Sequence, residues 1–249
     1  MKVITHPDFL EEYTKEPAAV PGRIEAILDA IRDKVTLEEA MPAGWDDIEA
    51  VHTAPHIESV NRRGLYKIAA LAAGAAIEAA VTGLSEPCFA LIRPPGHHAS
   101  ADSSWGFCYF NNMAIALEHL KRSGRIDTAY VLDFDMHYGD GTVNILKGKG
   151  YVAIHNPTAE NRRLYLKEVE HHLGTAQVDV IGVSAGFDNH LLDWGGLLHT
   201  EDYQAMGRMV KETCERLKIG CFAVLEGGYN HQVLGRNVLA FLMGLQGLC

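Results

Sequence analysis

Two adjacent histidines, His97 and His98, follow a Pro-Pro-Gly turn in RPPGHHA (93–99), directly after the apolar run Phe89 to Ile92. Farther along, Asp133, Asp135 and His137 recur at every second position, Asp188 ends GFD (186–188) and Tyr229 ends EGGY (226–229). An extended chain sends alternate side chains to one face, so two carboxylates and an imidazole in DFDMH would point together. Without a cation such neighbours repel, and one carboxylate would have to take up a proton. Asp188 offers a further oxygen ligand across the rim. An Asp/His set with an open position is the pattern of a catalytic divalent ion, whereas structural zinc usually has four closed ligands rich in Cys.

The double histidine fits the same chemistry. A water activated by a metal needs a base to take its proton, and a leaving amine needs an acid to supply one; imidazole suits both near neutral pH. Carboxylates behind the rings would fix their tautomers, and Asp133 and Asp140 are the residues available for that. Taken singly, each residue also has an ordinary reading. The aspartates could cap a turn, His137 could be a surface histidine, and Pro94-Pro95-Gly96 could be punctuation alone. Their joint placement is what favours a site.

That placement follows from the elements around them. Val3–Thr5, Phe89–Ile92, Ala129–Phe134, Tyr151–His155, Val178–Ser184 and Cys221–Leu225 read as strands. Helical periods lie at Pro21–Lys34, Leu65–Val81, Asn111–Arg122, Asn161–His172, Thr200–Leu217 and His231–Leu245. Near-continuous apolar strands alternating with helices predict an α/β fold, three αβα layers around a mainly parallel central sheet. In such sheets ligands bind outside the carboxyl ends of the strands. GHH, DFDMHYGDG, GFD and EGGY all fall just past such ends.

The chain has 249 residues, 47% of them hydrophobic, and nothing in it resembles a linker, so a single domain over 1–249 is expected. A net charge of -10 argues against nucleic acid as a partner and weakly favours cationic ligands. The five cysteines lack paired spacing, which suits reduced thiols and a cytoplasmic protein. The Ala-rich run from Ile68 to Val81 is too short, and too interrupted by Glu78, to span a membrane.

Together the segments HPDF, PGRIEAI, VHTAPHI, RPPGHHA, GFCYFNN, DFDMHYGDGT, SAGFD and LEGGYN resemble the histone-deacetylase-like branch of the arginase/deacetylase superfamily along nearly the whole chain. That branch includes class II lysine deacetylases and acetylpolyamine amidohydrolases. The resemblance implies the arginase/deacetylase fold and hydrolysis of an acyl-amide by a metal-activated water. It makes Asp135, His137 and Asp188 the metal ligands, with Zn2+ as the default ion and Fe2+ the alternative. It makes His97 and His98 the acid/base pair, backed by Asp133 and Asp140, and Tyr229 the oxyanion donor. Phe107, with Gly106 and Gly228, becomes substrate-binding, and a structural K+ is expected around Asp133, Asp135 and His137.

Three departures bear on substrate. Tyr138 stands where the family usually has a second histidine, at a position that is not a ligand. The loop between His155 and the Val178 strand lacks the family's Phe-Pro-Gly-Thr-Gly segment and its aromatic wall, and no dimer-building insertion is evident, leaving the oligomeric state open. The shortened loop predicts an open pocket with broad, modest activity on small acylated amines and acyl-lysines. Trp105 and Trp194 are the residues able to rebuild a wall, and His190 and Asp193 are alternative rim contacts. The competing function is a non-enzymatic acyl-lysine or metabolite-binding module, which would tolerate loss of His97, His98 or Tyr229; all three are present.

Overall fold

A computed structural model of the chain describes residues 1–248; Cys249, the fifth cysteine and the end of the expected domain, lies outside the described residues. The described residues form seven strands: β1 (Lys2–Thr5), β2 (Thr36–Glu39), β3 (Cys88–Ala90), β4 (Ala129–Asp133), β5 (Val152–His155), β6 (Val180–Ala185) and β7 (Gly220–Leu225). They form one sheet in the order β2-β1-β3-β7-β6-β4-β5, and every pairing is parallel. Strands β3, β4 and β6 are buried at every residue, as expected when helices cover both faces.

The crossovers contain α1 (Arg23–Ile31), α2 (Trp45–Glu49), α3 (Ala54–Arg62), α4 (Tyr66–Gly83), α5 (Asn112–Arg122), α6 (Asp140–Leu146), α7 (Arg162–Thr175), α8 (Thr200–Leu217) and α9 (His231–Gln246). Helices α4 and α5 pack together on one face, while α9 packs between α1 and α8 on the other, with α7 beside α8. The alanines of α4 allow that helix to be buried nearly all round.

One register row crosses the middle of the sheet through Asp133, Ser184, Val224 and Ala90. The motif-bearing strands β3, β7, β6 and β4 are therefore contiguous neighbours, and the chain leaving each emerges at one rim.

Beneath that rim lies an aromatic cluster. Phe134 packs against Phe187, Tyr203 and Phe241 with ring centroids 5.7, 5.8 and 5.2 Å apart. Burying each such side chain contributes about 1.5–3 kcal/mol. The Tyr165 and Tyr203 hydroxyls donate to the carbonyls of Phe134 and Phe187, each at 3.2 Å. In DFD and GFD the phenylalanine is thus the anchor in the core, and the flanking aspartates are turned out toward the rim.

Candidate metal and acid-base site

Strand β4 ends at Asp133, and the chain from Phe134 to His137 is bent rather than extended. The expected alternation therefore stops one residue after Asp133. His137 reaches the site because its backbone N–H donates to Asp135 Oδ1 at 2.9 Å, folding the imidazole back. His137 Nδ1 then lies 3.1 Å from Asp135 Oδ1 and 3.0 Å from Asp188 Oδ2. Asp135 and Asp188 are both buried. A side chain at Gly227 would collide with them: its Cβ would sit 2.6 Å from Asp135 Oδ2 and 2.8 Å from Asp188 Oδ2. Glycine there also lets its N–H donate to Asp135 Oδ2 at 2.8 Å.

These three groups fit a divalent cation. Their ligand atoms converge within 4.8 Å of one another. Asp188 Oδ2 is buried and, despite its approach to His137, makes no properly directed hydrogen bond. The hydrogen bond with Asp135 and the close Asp188 carboxylate raise the His137 pKa to about 10. Burial and the neighbouring Asp135 raise that of Asp188 to about 6. Protons are thus retained where a cation would balance the charge.

Beside this set stand two imidazole–carboxylate pairs. His97 Nδ1 lies 3.1 Å from Asp133 Oδ2, and His98 Nδ1 lies 2.7 Å from Asp140 Oδ1. The two rings are 4.0 Å apart. Burial opposes a charge on His97, yet Asp135 and Asp133 outweigh it and hold the imidazole well above its ordinary range. His98 is pushed down to about 4 by burial and by His97, against the pull of Asp140. Burial raises Asp140, but its bonds with Trp105 and His98 prevail and hold it low. An ionised Asp140 only accepts, so His98 carries its proton on Nδ1 and keeps a lone pair on Nε2.

A cavity of about 270 Å3 is lined by Pro95, His97, His98, Trp105, Gly106, Phe107, His137, Trp194 and Tyr229. The structure thus gathers all but one of the expected catalytic and substrate-facing groups at the cavity or directly behind its rings. The exception is Gly228, whose carbonyl accepts from Arg23 Nε at 2.8 Å and which is buried behind Tyr229. Tyr229 stacks on Trp194 at 4.0 Å and meets Phe107 edge-on at 5.9 Å. Burial and nearby Asp135 raise its pKa, so the hydroxyl remains a donor.

The expectation of an open pocket needs correction. Trp194 stands against Phe107 with ring centroids 6.5 Å apart, supplying the wall that the shortened loop omits. The space left by that loop is separate: a cavity of about 570 Å3 beside Asp135 and His137, bordered by Asn156, Thr158, Tyr138 and Leu197. His190 is not a rim contact either. It is buried, with Nδ1 accepting from Leu192 N at 3.1 Å. Asp193 accepts from the backbone N–H groups of Tyr229 and Asn230, both at 2.8 Å, and so fixes the turn that presents the tyrosine.

Two supporting residues were not singled out in the sequence. Glu226 is buried and accepts from the N–H groups of Gly96 and His97 at 2.7 and 3.1 Å, tying the histidine loop to the end of β7. Arg23 is buried and bonds the carbonyls of Gly228 and Glu226 at 2.8 and 2.5 Å. The available signal was a charged residue within a motif segment, LEGGYN for Glu226 and PGRIEAI for Arg23.

The fold and its rim define a parallel α/β protein with a candidate divalent site and two imidazole–carboxylate pairs at the strand carboxyl ends. Comparisons with known proteins agree. Residues 18–165 and 152–245 match the histone deacetylase domain. A probable deacetylase of Methanothermobacter thermautotrophicus is 34% identical over 91% of this chain and 85% of its own. A histone deacetylase-like amidohydrolase of Pseudomonas aeruginosa is 27% identical over 91% of this chain and 75% of its own. The crystal structure of the HDA15 HD domain superposes with a TM-score of 0.82 at 22% identity, covering 99% of this chain and 89% of that one. The chain belongs to the histone deacetylase family, a membership that supports hydrolytic deacetylation.

Proposed function

We propose that the chain is a zinc-dependent deacetylase, with Fe2+ as the alternative ion, cleaving the amide of an acyl-lysine, acetylpolyamine or small acylated amine. The carrying observation is that Asp135, His137 and Asp188 converge beside both imidazole–carboxylate pairs, while His137 also lines the cavity that Tyr229 closes. Asp135, His137 and Asp188 would hold a divalent ion, which would supply Lewis acidity toward the amide carbonyl and the attacking water. His98, neutral with Nε2 free, takes the proton from the attacking water and passes it to the leaving amine. His97, held by Asp133 at 3.1 Å, is the second imidazole of the acid/base pair and donates toward the reacting centre. Tyr229 donates to the oxyanion.

For a structural K+, the oxygens around Asp133 are the best place. Ser184 Oγ, in register with Asp133, is buried without a hydrogen-bond partner. Four buried free thiols, Cys88, Cys108, Cys214 and Cys221, support a reducing, cytoplasmic setting. No helix among the described residues is long and apolar enough to cross a membrane.

The test is turnover of acyl-lysine peptides, acetylpolyamines and small N-acyl amines by zinc-loaded and chelator-treated protein. Metal-dependent release of the acid is expected. Saturable binding of acyl-lysine with no turnover under any metal would instead favour the binding-module reading.

The Phe107–Trp194 slot makes a further selectivity prediction. The two rings meet edge to face at 6.5 Å, less than the about 7–8 Å that a carbon chain between two ring faces needs, so the pair itself closes this side of the cavity and limits its width. Trp194→Ala should raise the kcat/KM ratio of butyryl-lysine to acetyl-lysine by about tenfold, the scale of pocket discrimination per small group. An unchanged ratio would place the selecting wall elsewhere.

A further inference from the structure

Trp105 lines the cavity and also touches the His98–Asp140 pair on two sides. Its indole lies on the His98 ring with centroids 3.8 Å apart and planes 29° from parallel. Its Nε1–H donates to Asp140 Oδ2 at 2.9 Å, while Asp140 Oδ1 faces His98 Nδ1 at 2.7 Å. Asp140, Trp105 and His98 therefore form a closed ring of contacts. His97 covers the other face of His98, and Gly106 closes its edge: a Cβ at Gly106 would lie 2.4 Å from His98 Cδ2.

The backbone commits to this arrangement. Gly106 and Phe107 both take left-handed angles, with φ of 58° and 66°. For phenylalanine that conformation costs on the order of 1 kcal/mol. The two residues turn the chain so that Trp105 falls on His98 while Phe107 enters the cavity wall. Trp105 nevertheless remains 55% exposed. An indole that exposed gives little core stability, so its two directed contacts are the more telling feature.

We infer that Trp105 is a positioning residue: it holds Asp140 in line with His98 Nδ1 and lays an electron-rich face on the imidazole that must become cationic during turnover. The indole N–H occupies the carboxylate oxygen that His98 does not use, which stops Asp140 from rotating away toward solvent. The π face favours imidazolium over imidazole, as aromatic faces do for cations. Because Trp105 acts through His98, its contribution falls on the proton-transfer steps rather than on substrate binding. This inference rests on the deacetylase reading above for its kinetic consequence, though not for its geometry.

Two substitutions separate the contacts. Trp105→Phe keeps an aromatic face and loses the hydrogen bond; Trp105→Leu loses both. With zinc-loaded protein and acetyl-lysine peptide, Trp105→Phe should lower kcat about three- to tenfold, the scale of one hydrogen bond. Trp105→Leu should lower it roughly ten- to a hundredfold, part of what a positioned base contributes. KM should change less than twofold, with bound zinc and melting temperature as in the parent. The independent readout is the His98 Nδ1–H resonance in 15N-histidine-labelled protein, assigned by its loss in His98→Gln. It should be sharp in the parent and broadened in both Trp105 variants. An unchanged resonance with unchanged kcat in Trp105→Leu would overturn the inference, as would a loss confined to KM. If the parent hydrolyses no amide but the resonance still responds to Trp105, positioning stands and the deacetylase reading falls.

Discussion

Asp188→Ala should give a folded chain that binds divalent metal weakly and has lost nearly all hydrolytic activity. Asp188 lies three residues beyond β6, with Oδ1 accepting from Met136 N at 3.1 Å and Oδ2 lying 3.0 Å from His137 Nδ1. Removing it leaves two of the three proposed ligands and one anionic charge fewer. The structural cost includes one lost hydrogen bond at Met136 N–H, about 0.5–1.5 kcal/mol at a residue that is largely exposed. Loss of a carboxylate that burial already pushes up to about 6 offsets part of that cost. Asp188→Asn keeps an acceptor for Met136 and separates the two effects. Zinc bound after dialysis, measured by elemental analysis, should fall for both variants. Melting temperature should rise with added zinc in the parent and hardly at all in either variant, since only a ligand bound to the native state stabilises it. Full activity in the chelator-treated parent would remove the metal from the mechanism.

Much of this site could be read in the sequence because parallel sheets put their ligand chemistry at one end. Apolar runs located β3, β4, β6 and β7 to within two residues at either end, and the polar residues just beyond them were a short set. Asp135, His137 and Asp188 could be grouped before the strand order was known, because any order that brings those strands together makes them converge. The bend after Asp133 could not be read. It is closed by the His137 N–H bonding back to Asp135 Oδ1, a contact that alternation in the sequence does not carry.

Edge and surface elements were less legible for a related reason. The strand β2, Thr36–Glu39, reads TLEE and is exposed along most of its length, so it has no apolar run to announce it. Helix α6 begins at Asp140, inside the motif itself, where chemistry masks the local propensity signal. Helices α2 and α3 are short and mostly polar. The pocket wall is the most instructive case. A missing loop in the sequence implied a missing wall, but Trp194 arrives from the turn after β6, held by the same Asp193 that fixes Tyr229. A deletion reports lost residues; it does not report which neighbour fills the gap.

Tyr229→Phe should retain fold, metal and substrate binding while losing most of its turnover. The ring makes the contacts that order this part of the site: it stacks on Trp194 at 4.0 Å, meets Phe107 at 5.9 Å and lies 5.5 Å from the Arg23 guanidinium. Phenylalanine keeps all of them. Asp193 holds the backbone of residues 229 and 230, so the turn does not depend on the hydroxyl. What disappears is the donor that the proposed mechanism aims at the oxyanion. Loss of one such donor costs about a hundred- to a thousandfold in kcat. Because the interaction strengthens as charge develops on the carbonyl oxygen, kcat should fall with kcat/KM in parallel, leaving KM nearly unchanged. A rise in KM at constant kcat would make the hydroxyl a substrate-binding group only. Unchanged kinetics would assign oxyanion stabilisation to the cation held by Asp135, His137 and Asp188 alone.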